Sequence, residues 1–430
     1  MSEEEPGALT TFRQFFALEG DVLVLSAAMF AFSLGFQMTG RYMPRYLSVL
    51  GAGSLAIGLY GSFGNLISAV YPYPGGAVSD YVGSRTALTA FGFASALGFL
   101  VWYGADWVAA LAVGPTNAAV VVVFLGLLLS QAWKSFGLGA TFAIVKQSVS
   151  PDRLATGFAS TETFRRTAFL LGPLLAAALL ARYQFRVGFR YVLLVAAGFG
   201  LVATVVQHRL YDASGDTVGK SFRGIARIRA DLASLPDPLR PLLIADTLVR
   251  FANGMVYVFF VIVVTEFLQV GVTLPVVGRL SPDAFFGVLL SVEMAVALLS
   301  MVPVSRLARR VGLKPVVALG FAVYAVFPVL LVNAPANAAV VAALFAFSGL
   351  RFAGLPAHKS LIVGPAEANQ AGRVVGSYYL VRNVLTVPSA AAGGWLYAES
   401  PEVAFTAATA VGVVGVAVFL LRGREFEAYA

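Results

Sequence analysis

Nine ionisable residues interrupt the long apolar stretches of this chain. They are Lys134, Glu162, Arg165, Arg166, Asp246, Arg250, Glu293, Arg351 and Arg382. A charge at bilayer depth costs at least about 2–3 kcal/mol, so it persists where it faces a wet cavity or an opposite charge. Six of these residues are cations and three are carboxylates. Because a guanidinium can grip a carboxylate or a phosphate with two hydrogen bonds, the excess indicates a site for an anionic group.

Two pairs of these charges are spaced four residues apart, namely Glu162 with Arg166 and Asp246 with Arg250. Residues at that spacing share one face of a helix, so each pair can be a structural ion pair instead of part of a binding site. Both interpretations remain open on the sequence.

Glu293 has no oppositely charged neighbour three or four residues away on its own predicted helix. Because burial disfavours the charged form of a carboxyl without a partner, such a group is suited to exchanging a proton. We therefore predict Glu293 as the leading proton-coupling residue, with Asp246 and Glu162 as further candidates. The alternative for Glu293 is a fixed ion pair with Arg250 or Arg382.

The remaining intramembrane cations are expected to line a central cavity together with uncharged polar residues. Arg165 and Arg382 lie far from either membrane face, whereas Arg351 and Lys134 are near enough to one end to extend toward the surface instead. The polar residues can equally serve helix–helix packing. The predicted substrate-binding residues are Arg165, Arg382, Arg351, Lys134, Arg250, Gln37, Asn253, Tyr378 and Asn383.

The composition requires a lipid environment for much of the chain. Hydrophobic residues fill 59% of the 430 positions and charged residues only 12%, with a mean hydropathy of +0.82. A soluble domain carries about 25% charged residues, and a helix needs about 20 apolar residues to cross a bilayer. The apolar runs predict an all-α integral membrane protein with spans at 22–42, 53–74, 86–106, 116–147, 154–181, 190–208, 241–265, 283–304, 315–334, 337–358, 374–396 and 403–421.

The predicted spans fall into two groups of six, separated by a polar stretch. This division predicts an N-terminal six-helix bundle at 1–210, a cytoplasmic linker at 211–240 and a C-terminal six-helix bundle at 241–430. With both termini inside, the inner segments hold 18 of the 30 Lys and Arg residues and the outer segments hold 6. Since cytoplasmic loops are enriched in these residues, we expect a multi-pass protein of the cell membrane with both termini in the cytoplasm.

A short pattern occurs twice at a constant offset of 229 residues. The first copy contains Gly76, Asp80, Gly83 and Arg85, and the second contains Ser305, Arg309, Gly312 and Lys314. Glycine accepts a positive φ that other residues resist. Each copy therefore predicts a tight turn at its second glycine position, followed two residues later by a cation at the inner membrane face.

These residues resemble motif A of the major facilitator superfamily, a Gly-x-x-x-Asp-x-x-Gly-x-Arg pattern between helices 2 and 3. The first copy matches at all four positions, and the second has Ser305 and Arg309 in place of Gly and Asp. The resemblance implies twelve helices in two pseudo-symmetric six-helix bundles and secondary transport by alternating access. It further implies that Gly76, Asp80, Gly83 and Arg85 belong to a cytoplasmic gate, the alternative being solvated loop charges.

The fifth span contains a second, weaker resemblance to the superfamily. Gly172-Pro173 followed by Ala176 and Ala177 is similar to motif C of antiporters, with alanines in place of its final glycines. Generic close packing of small residues between helices is the competing explanation. The resemblance slightly favours antiport over symport or uniport, and all three remain open.

Several other classes of site are excluded or disfavoured. The chain has no cysteine, so it has no disulfide and no thiolate site. No metal-binding or nucleophilic arrangement and no phosphate-cradling Gly-Lys-Ser/Thr loop appears, so we expect no cofactor and no metal. The net charge of +8 follows from cytoplasmic loops, so we expect no nucleic-acid partner. The expected partners are membrane lipid and a small-molecule substrate, with the protein a monomer.

Together these patterns predict a secondary active transporter of a small solute, with an organic anion as the leading substrate class and proton coupling as an open possibility. The alternative is efflux of amphipathic drug-like compounds, which would use aromatic side chains and a large apolar cavity. A lipid-modifying membrane enzyme would need a catalytic constellation, and none is visible. A receptor of the same fold would bind its ligand without moving it.

Overall fold

The structure is a computed structural model that describes residues 20–111, 117–136, 154–211, 236–275, 278–364 and 371–425. Within those ranges the side chains of Asp80 and Glu162 and the surroundings of Gly76 lie outside the described part. Most of the predicted linker, 211–240, and the predicted cytoplasmic tails lie outside it as well.

The helices of the first half form six segments, three of which are broken or end irregularly. They are α1a (Gly20–Thr39) and α1b (Met43–Val49), α2a (Ser54–Val70) and α2b (Pro72–Val82), α3 (Ser84–Leu111), α4 (Asn117–Gln131, ending in the π-helical turn Ala132–Phe136), α5 (Leu154–Leu180) and α6 (Phe185–Leu210).

The second half repeats this arrangement after a 3₁₀ turn, Asp237–Leu239. Its helices are α7a (Arg240–Tyr257) and α7b (Phe260–Ile262, continuing into the π-helical turn Val263–Phe267), α8 (Pro282–Val311), α9 (Leu313–Val332), α10a (Ala338–Gly349) and α10b (Leu355–Val363) joined by the 3₁₀ turn Leu350–Phe352, α11a (Ala371–Thr386) and α11b (Ser389–Glu399), and α12 (Pro401–Arg422). Strands β1 (Val272–Leu274) and β2 (Gly278–Leu280) form an antiparallel hairpin between α7b and α8, with Val272 opposite Leu280.

The described helices thus group into twelve segments, in agreement with the predicted spans. Eight of them are long and apolar enough to cross a membrane, with α1 and α10 taken through their breaks, and α7a with α7b makes a ninth across a 45° bend. The remaining three segments are α2 and α11, which are shortened by a break, and α5, which carries more charge. A break inside a membrane helix is tolerated where neighbouring helices cover the freed backbone groups.

Several helices begin at residues that are typical of helix N-termini. Pro282 lies in the first turn of α8, where its missing N–H leaves no bond unmade, and the Ser281 side chain accepts from the Ala284 N–H at 3.3 Å. Ser400 caps α12 in the same way, accepting from the Val403 N–H at 3.1 Å ahead of Pro401. Both features are typical of helix N-termini.

The first span is longer than the sequence predicts. The prediction ends it at residue 42, ahead of an outer loop holding Arg45, but α1b continues it to Val49. Pro44 lies in the first turn of α1b, so it starts a new helical segment instead of ending the span. Arg45 consequently lies within the span and not in a loop, and Arg41 lies well inside the span instead of at its end.

The repeated pattern forms two equivalent turns. Gly83 has φ 87° between α2b and α3, and Gly312 has φ 91° between α8 and α9. The Arg85 Nε donates to the His208 carbonyl at the end of α6 (2.6 Å), and the Lys314 Nζ donates to the Leu420 carbonyl near the end of α12 (3.0 Å). The predicted turns are confirmed, and each motif cation binds the C-terminal end of the last helix of its own half, where a positive charge is favoured.

We call the end of the molecule that carries these turns the motif end, and the end that carries the β1–β2 hairpin the hairpin end. Toward the hairpin end the halves contact each other closely. A Cβ placed on Gly58 of α2a would lie 2.4 Å from the Ala390 carbonyl oxygen of α11b. Ser291 of α8 donates to the Leu170 carbonyl of α5 at 2.9 Å. Helices from opposite halves therefore pack backbone to backbone there.

Candidate functional site

Two chambers lie between the halves, and each has walls from both. The first has a volume of about 190 Å³ and lies among α1, α5, α7, α8 and α10. Its lining residues are Gln37, Arg41, Arg165, Arg166, Phe169 and Pro173 from the first half, and Tyr257, Leu290, Glu293, Met294, Phe352 and Leu355 from the second.

The second chamber has a volume of about 220 Å³ and lies among α2, α7 and α11. Its lining residues are Gly61 and Asn65 from the first half, and Arg250, Asn253, Gly254, Tyr257, Val258, Arg382, Asn383, Thr386, Ser389 and Ala390 from the second. Tyr257 lines both chambers, so they meet at its ring.

Arg41 brings an incompletely bonded cation to the first chamber. Its guanidinium carbon lies 3.9 Å from the centre of the Tyr257 ring, a cation–π contact, and its side chain is only 11% exposed. The Nη2 atom lies 4.0 Å from Glu293 Oε2, beyond hydrogen-bond distance. This buried nitrogen has no hydrogen-bond partner among the residues that the structure describes. An acceptor in the chamber would satisfy it.

Glu293 is not the unpaired carboxyl that the sequence suggests. Its Oε1 lies 2.7 Å from Arg351 Nη2, and the Ser348 hydroxyl donates to the same oxygen. The predicted alternative, a pair with Arg250 or Arg382, is also wrong, because α10 and not α7 or α11 supplies the partner. Both side chains are almost fully buried, at 6% and 1% exposure, as expected of an ion pair inside a protein.

Asp246 is the centre of the second charged cluster, behind the second chamber. Its carboxylate lies 3.4 Å from Arg250 Nε on the same helix and 3.1 Å from Arg382 Nη1 of α11a. The Tyr378 hydroxyl donates to it at 3.1 Å, and His358 Nε2 lies 3.4 Å away. The predicted Asp246–Arg250 helical pair is therefore present, but two guanidiniums share this one carboxylate.

Tyr324 of α9 connects the two clusters. Arg250 Nη1 donates to its hydroxyl at 2.9 Å, and the Arg351 guanidinium lies 5.1 Å from its ring centre. Arg351 Nη1 also donates to Asn253 Oδ1 at 3.3 Å. The carboxylate at the first chamber and the amide at the second are thus held by the same guanidinium.

Comparisons with known proteins agree with this architecture. Over 405 residues the chain is 21% identical to an uncharacterized MFS-type transporter of Methanocaldococcus jannaschii, in a match that covers 92% of this chain and 93% of that protein. The solved structure of the nucleoside transporter NupG superposes with a TM-score of 0.75 at 11% identity, over 94% of this chain and 100% of that one. In sequence over most of its length and in fold, the chain is similar to transporters of the major facilitator type.

Other solved structures share the transporter's fold. A bacterial homologue of the iron transporter ferroportin, in an inward-facing state, gives a TM-score of 0.73 at 15% identity, over 94% of this chain and 98% of that one. A POT family transporter in complex with 5-aminolevulinic acid gives 0.71 at 13% identity, over 95% and 99%. No family profile matches the chain. These likenesses confirm the predicted fold class, and the sequence match agrees with a multi-pass membrane transporter.

Six of the predicted substrate-binding residues line the transporter's chambers. Gln37 and Arg165 face the first, and the second is lined by Arg250, Asn253, Arg382 and Asn383. Arg165 lies 5.1 Å from the Phe169 ring centre, and its neighbour Arg166 lies 3.4 Å from the Met301 sulfur.

Three others are placed elsewhere. Tyr378 is fully buried behind Asp246, and Arg351 is 2% exposed and bound to Glu293. Lys134 is exposed in the π-helical turn that ends α4 and lines neither chamber. The sequence could not distinguish these cases, because which side of a helix faces the cavity depends on how the helix is rotated in the bundle.

The expected gate residues are described only in part. Gly83 forms the turn, and Arg85 binds the end of α6 as stated above. The surroundings of Gly76 and the side chain of Asp80 lie outside the described residues, as does the side chain of Glu162, the third proton-coupling candidate.

Arg41 and Tyr324 were missed by sequence reasoning. Arg41 follows the predicted substrate residue Gln37 by four positions, the spacing of one helix face. That signal was available, but Arg41 was assigned to the outer segment at the end of the predicted first span. Tyr324 offered no signal, because one tyrosine in an apolar span is ordinarily part of the core.

Proposed function

We propose that the transporter moves a small organic anion by alternating access, and that Arg41 binds the anionic group. The main support is Arg41, which lines a chamber between the halves. Its buried Nη2 has no hydrogen-bond partner among the described residues. A carboxylate or phosphate oxygen in the chamber would supply both the missing acceptor and the opposite charge.

The charge balance of the two clusters supports an anion over a cation. Each of the two carboxylates, Glu293 and Asp246, is shared by two guanidiniums. A positively charged substrate would have to displace a guanidinium from a carboxylate that it already holds. Among the described residues, Glu293 with Arg41 and Arg351 carries one more positive than negative charge, and an anion in the first chamber would balance it in surroundings where charges are poorly screened.

Within this proposal, proton coupling is assigned to Glu293. Its carboxylate lies beside the chamber, 4.0 Å from Arg41 and 2.7 Å from Arg351. Adding a proton to it would remove the charge that restrains both guanidiniums and free Arg41 for the substrate. Asp246, shared by Arg250 and Arg382, is the second candidate for this role.

We further propose that the motif end faces the cytoplasm of a cell-membrane transporter, with both termini inside. The excess of Lys and Arg in the segments at that end supports this orientation. The halves pack closely toward the hairpin end, so these contacts oppose access to the chambers from that end in this conformation.

A binding and transport experiment tests the proposed anion site. The purified transporter is screened by thermal shift against small carboxylates, phosphate esters and lipophilic cations, and stabilising compounds are followed in proteoliposome counterflow. Arg41→Gln should remove the response to anions, whereas the exposed Arg182→Gln should retain it. Stabilisation and counterflow by lipophilic cations, unaffected by Arg41→Gln, would instead establish efflux of amphipathic compounds.

A further inference from the structure

The walls of the two chambers differ in chemistry. The first is largely apolar apart from its charged groups, with Phe169, Leu290 and Met294 among its lining residues. The second holds Arg250 and Arg382, both already bound to Asp246, and is otherwise rich in hydrogen-bonding groups that carry no charge, namely Asn65, Asn253, Asn383, Thr386 and Ser389. A ligand matched to both walls needs an apolar part and a polar part.

Tyr257 lies where the two parts would join. Its ring lines both chambers and is 39% exposed, which is high for a large side chain at the centre of a bundle. One side of the ring carries the guanidinium of Arg41 at 3.9 Å. An aromatic ring with an exposed part is a surface along which an apolar chain can lie.

Size favours one ligand that enters both chambers. Ligand pockets usually measure about 300–1,000 Å³. The chambers measure about 190 Å³ and about 220 Å³, so each alone is below that range and the pair is within it.

Arg351 links the contents of the chambers. It holds Glu293 beside the first chamber at 2.7 Å and Asn253 beside the second at 3.3 Å. One guanidinium is therefore in contact with a lining residue of each chamber.

We infer that the substrate is one amphipathic acid that spans both chambers, which rests on the proposed anion transport. The acid group binds Arg41, the apolar body lies along Tyr257, and an uncharged hydrogen-bonding group, an amide or a hydroxyl, occupies the asparagine-lined chamber.

Single cysteines test this directly, because the natural chain contains none. Met294→Cys reports on the first chamber and Thr386→Cys on the second. Thr86→Cys, exposed at the start of α3, is the control outside both chambers. The rate of modification by the neutral reagent N-ethylmaleimide is measured on the full-length transporter, with thermal unfolding confirming that each variant is folded.

The probes are three eight-carbon compounds of matched length: octanoate, its ω-amide suberamate, and neutral octanamide. Suberamate should protect Met294→Cys and Thr386→Cys with one common half-protecting concentration, and should leave Thr86→Cys unprotected. That concentration should be about fivefold to tenfold below that of octanoate, since the amide adds hydrogen bonds at the far end. Asn65→Ala should abolish this advantage while leaving octanoate unchanged.

The outcomes separate the two proposals. The two-chamber substrate is wrong if an acid protects Met294→Cys but not Thr386→Cys, or if suberamate protects no better than octanoate. Neither outcome contradicts anion transport. If octanamide protects Met294→Cys as well as the acids do, or if no acid protects it, the proposed anion site itself is wrong.

Discussion

Glu293 and Arg351 form an ion pair inside the second half, with 2.7 Å between Oε1 and Nη2. Their positions differ by 58 residues, and each comes from a different helix, α8 and α10. Arg41 of the first half approaches the other oxygen of Glu293 to 4.0 Å. The carboxylate therefore lies where the two halves meet the chamber, and its charge restrains groups from both.

Removing the charge of Glu293 should destabilise the fold. Glu293→Gln leaves Arg351 charged and buried, which we expect to cost about 3–5 kcal/mol of unfolding free energy. The double variant Glu293→Leu with Arg351→Met leaves no unpaired charge of this ion pair and should cost less. Chemical denaturation in detergent gives the unfolding free energies of the natural protein and of both variants. A double variant as unstable as the single one would contradict the ion-pair account.

The two motif turns should resist any side chain. Gly83 has φ 87° and ψ 151°, and Gly312 has φ 91° and ψ 168°, a region that only glycine adopts readily, so Gly83→Ala and Gly312→Ala should each cost roughly 1–3 kcal/mol. Gly104 lies within α3, and a Cβ added there would meet nothing within 4 Å, so Gly104→Ala should be neutral or stabilising by about 0.5–1 kcal/mol. Melting temperatures of the three variants check this. If Gly104→Ala lowers the melting temperature as much as Gly83→Ala and Gly312→Ala do, backbone strain at the turns is not the cause.

The motif cations should stabilise each half separately. Arg85→Ala removes the hydrogen bond to the His208 carbonyl, and Lys314→Ala removes the one to the Leu420 carbonyl. We expect each change to cost about 0.5–1.5 kcal/mol of unfolding free energy. Arg209→Ala, exposed beside His208 at the end of α6, is the matched control and should be within about 0.5 kcal/mol of the natural chain. Additive losses in the Arg85→Ala, Lys314→Ala double variant would confirm independent sites, whereas strong coupling would indicate contact between the halves.

Arg45 should hold the hairpin end closed. From α1b it forms ion pairs with Glu266 and, at 3.0 Å, with Asp283, both of the second half. Arg45→Gln removes the charge common to both pairs, so the closed population should fall. Spin labels at Arg182→Cys and Asn333→Cys, exposed on opposite halves, measure the separation by double electron–electron resonance.

The distance distribution in Arg45→Gln should gain a longer component, while Arg279→Gln, an exposed charge on β2, should leave it unchanged. An Arg45→Gln distribution identical to that of the natural chain would mean that apolar packing alone keeps this end closed. The aromatic contact between Tyr42 and Phe286, 5.6 Å between ring centres, is the nearest candidate for that packing.

The sequence determined the features that depend on neighbouring residues. Apolar length alone predicted the twelve spans, and the glycine spacing predicted the turns at Gly83 and Gly312, because both follow from local backbone physics. The Asp246–Arg250 pair was also visible, since four residues on a helix always share a face.

Only the tertiary structure decided which charges meet. It placed Arg41 in the wall of a chamber, paired Glu293 with Arg351, and buried Tyr378 behind Asp246 instead of in the cavity. These outcomes depend on the rotation of each helix and on its depth relative to helices far away in the chain. An apolar helix in lipid carries little local information about either, because nearly every face of it is compatible with burial.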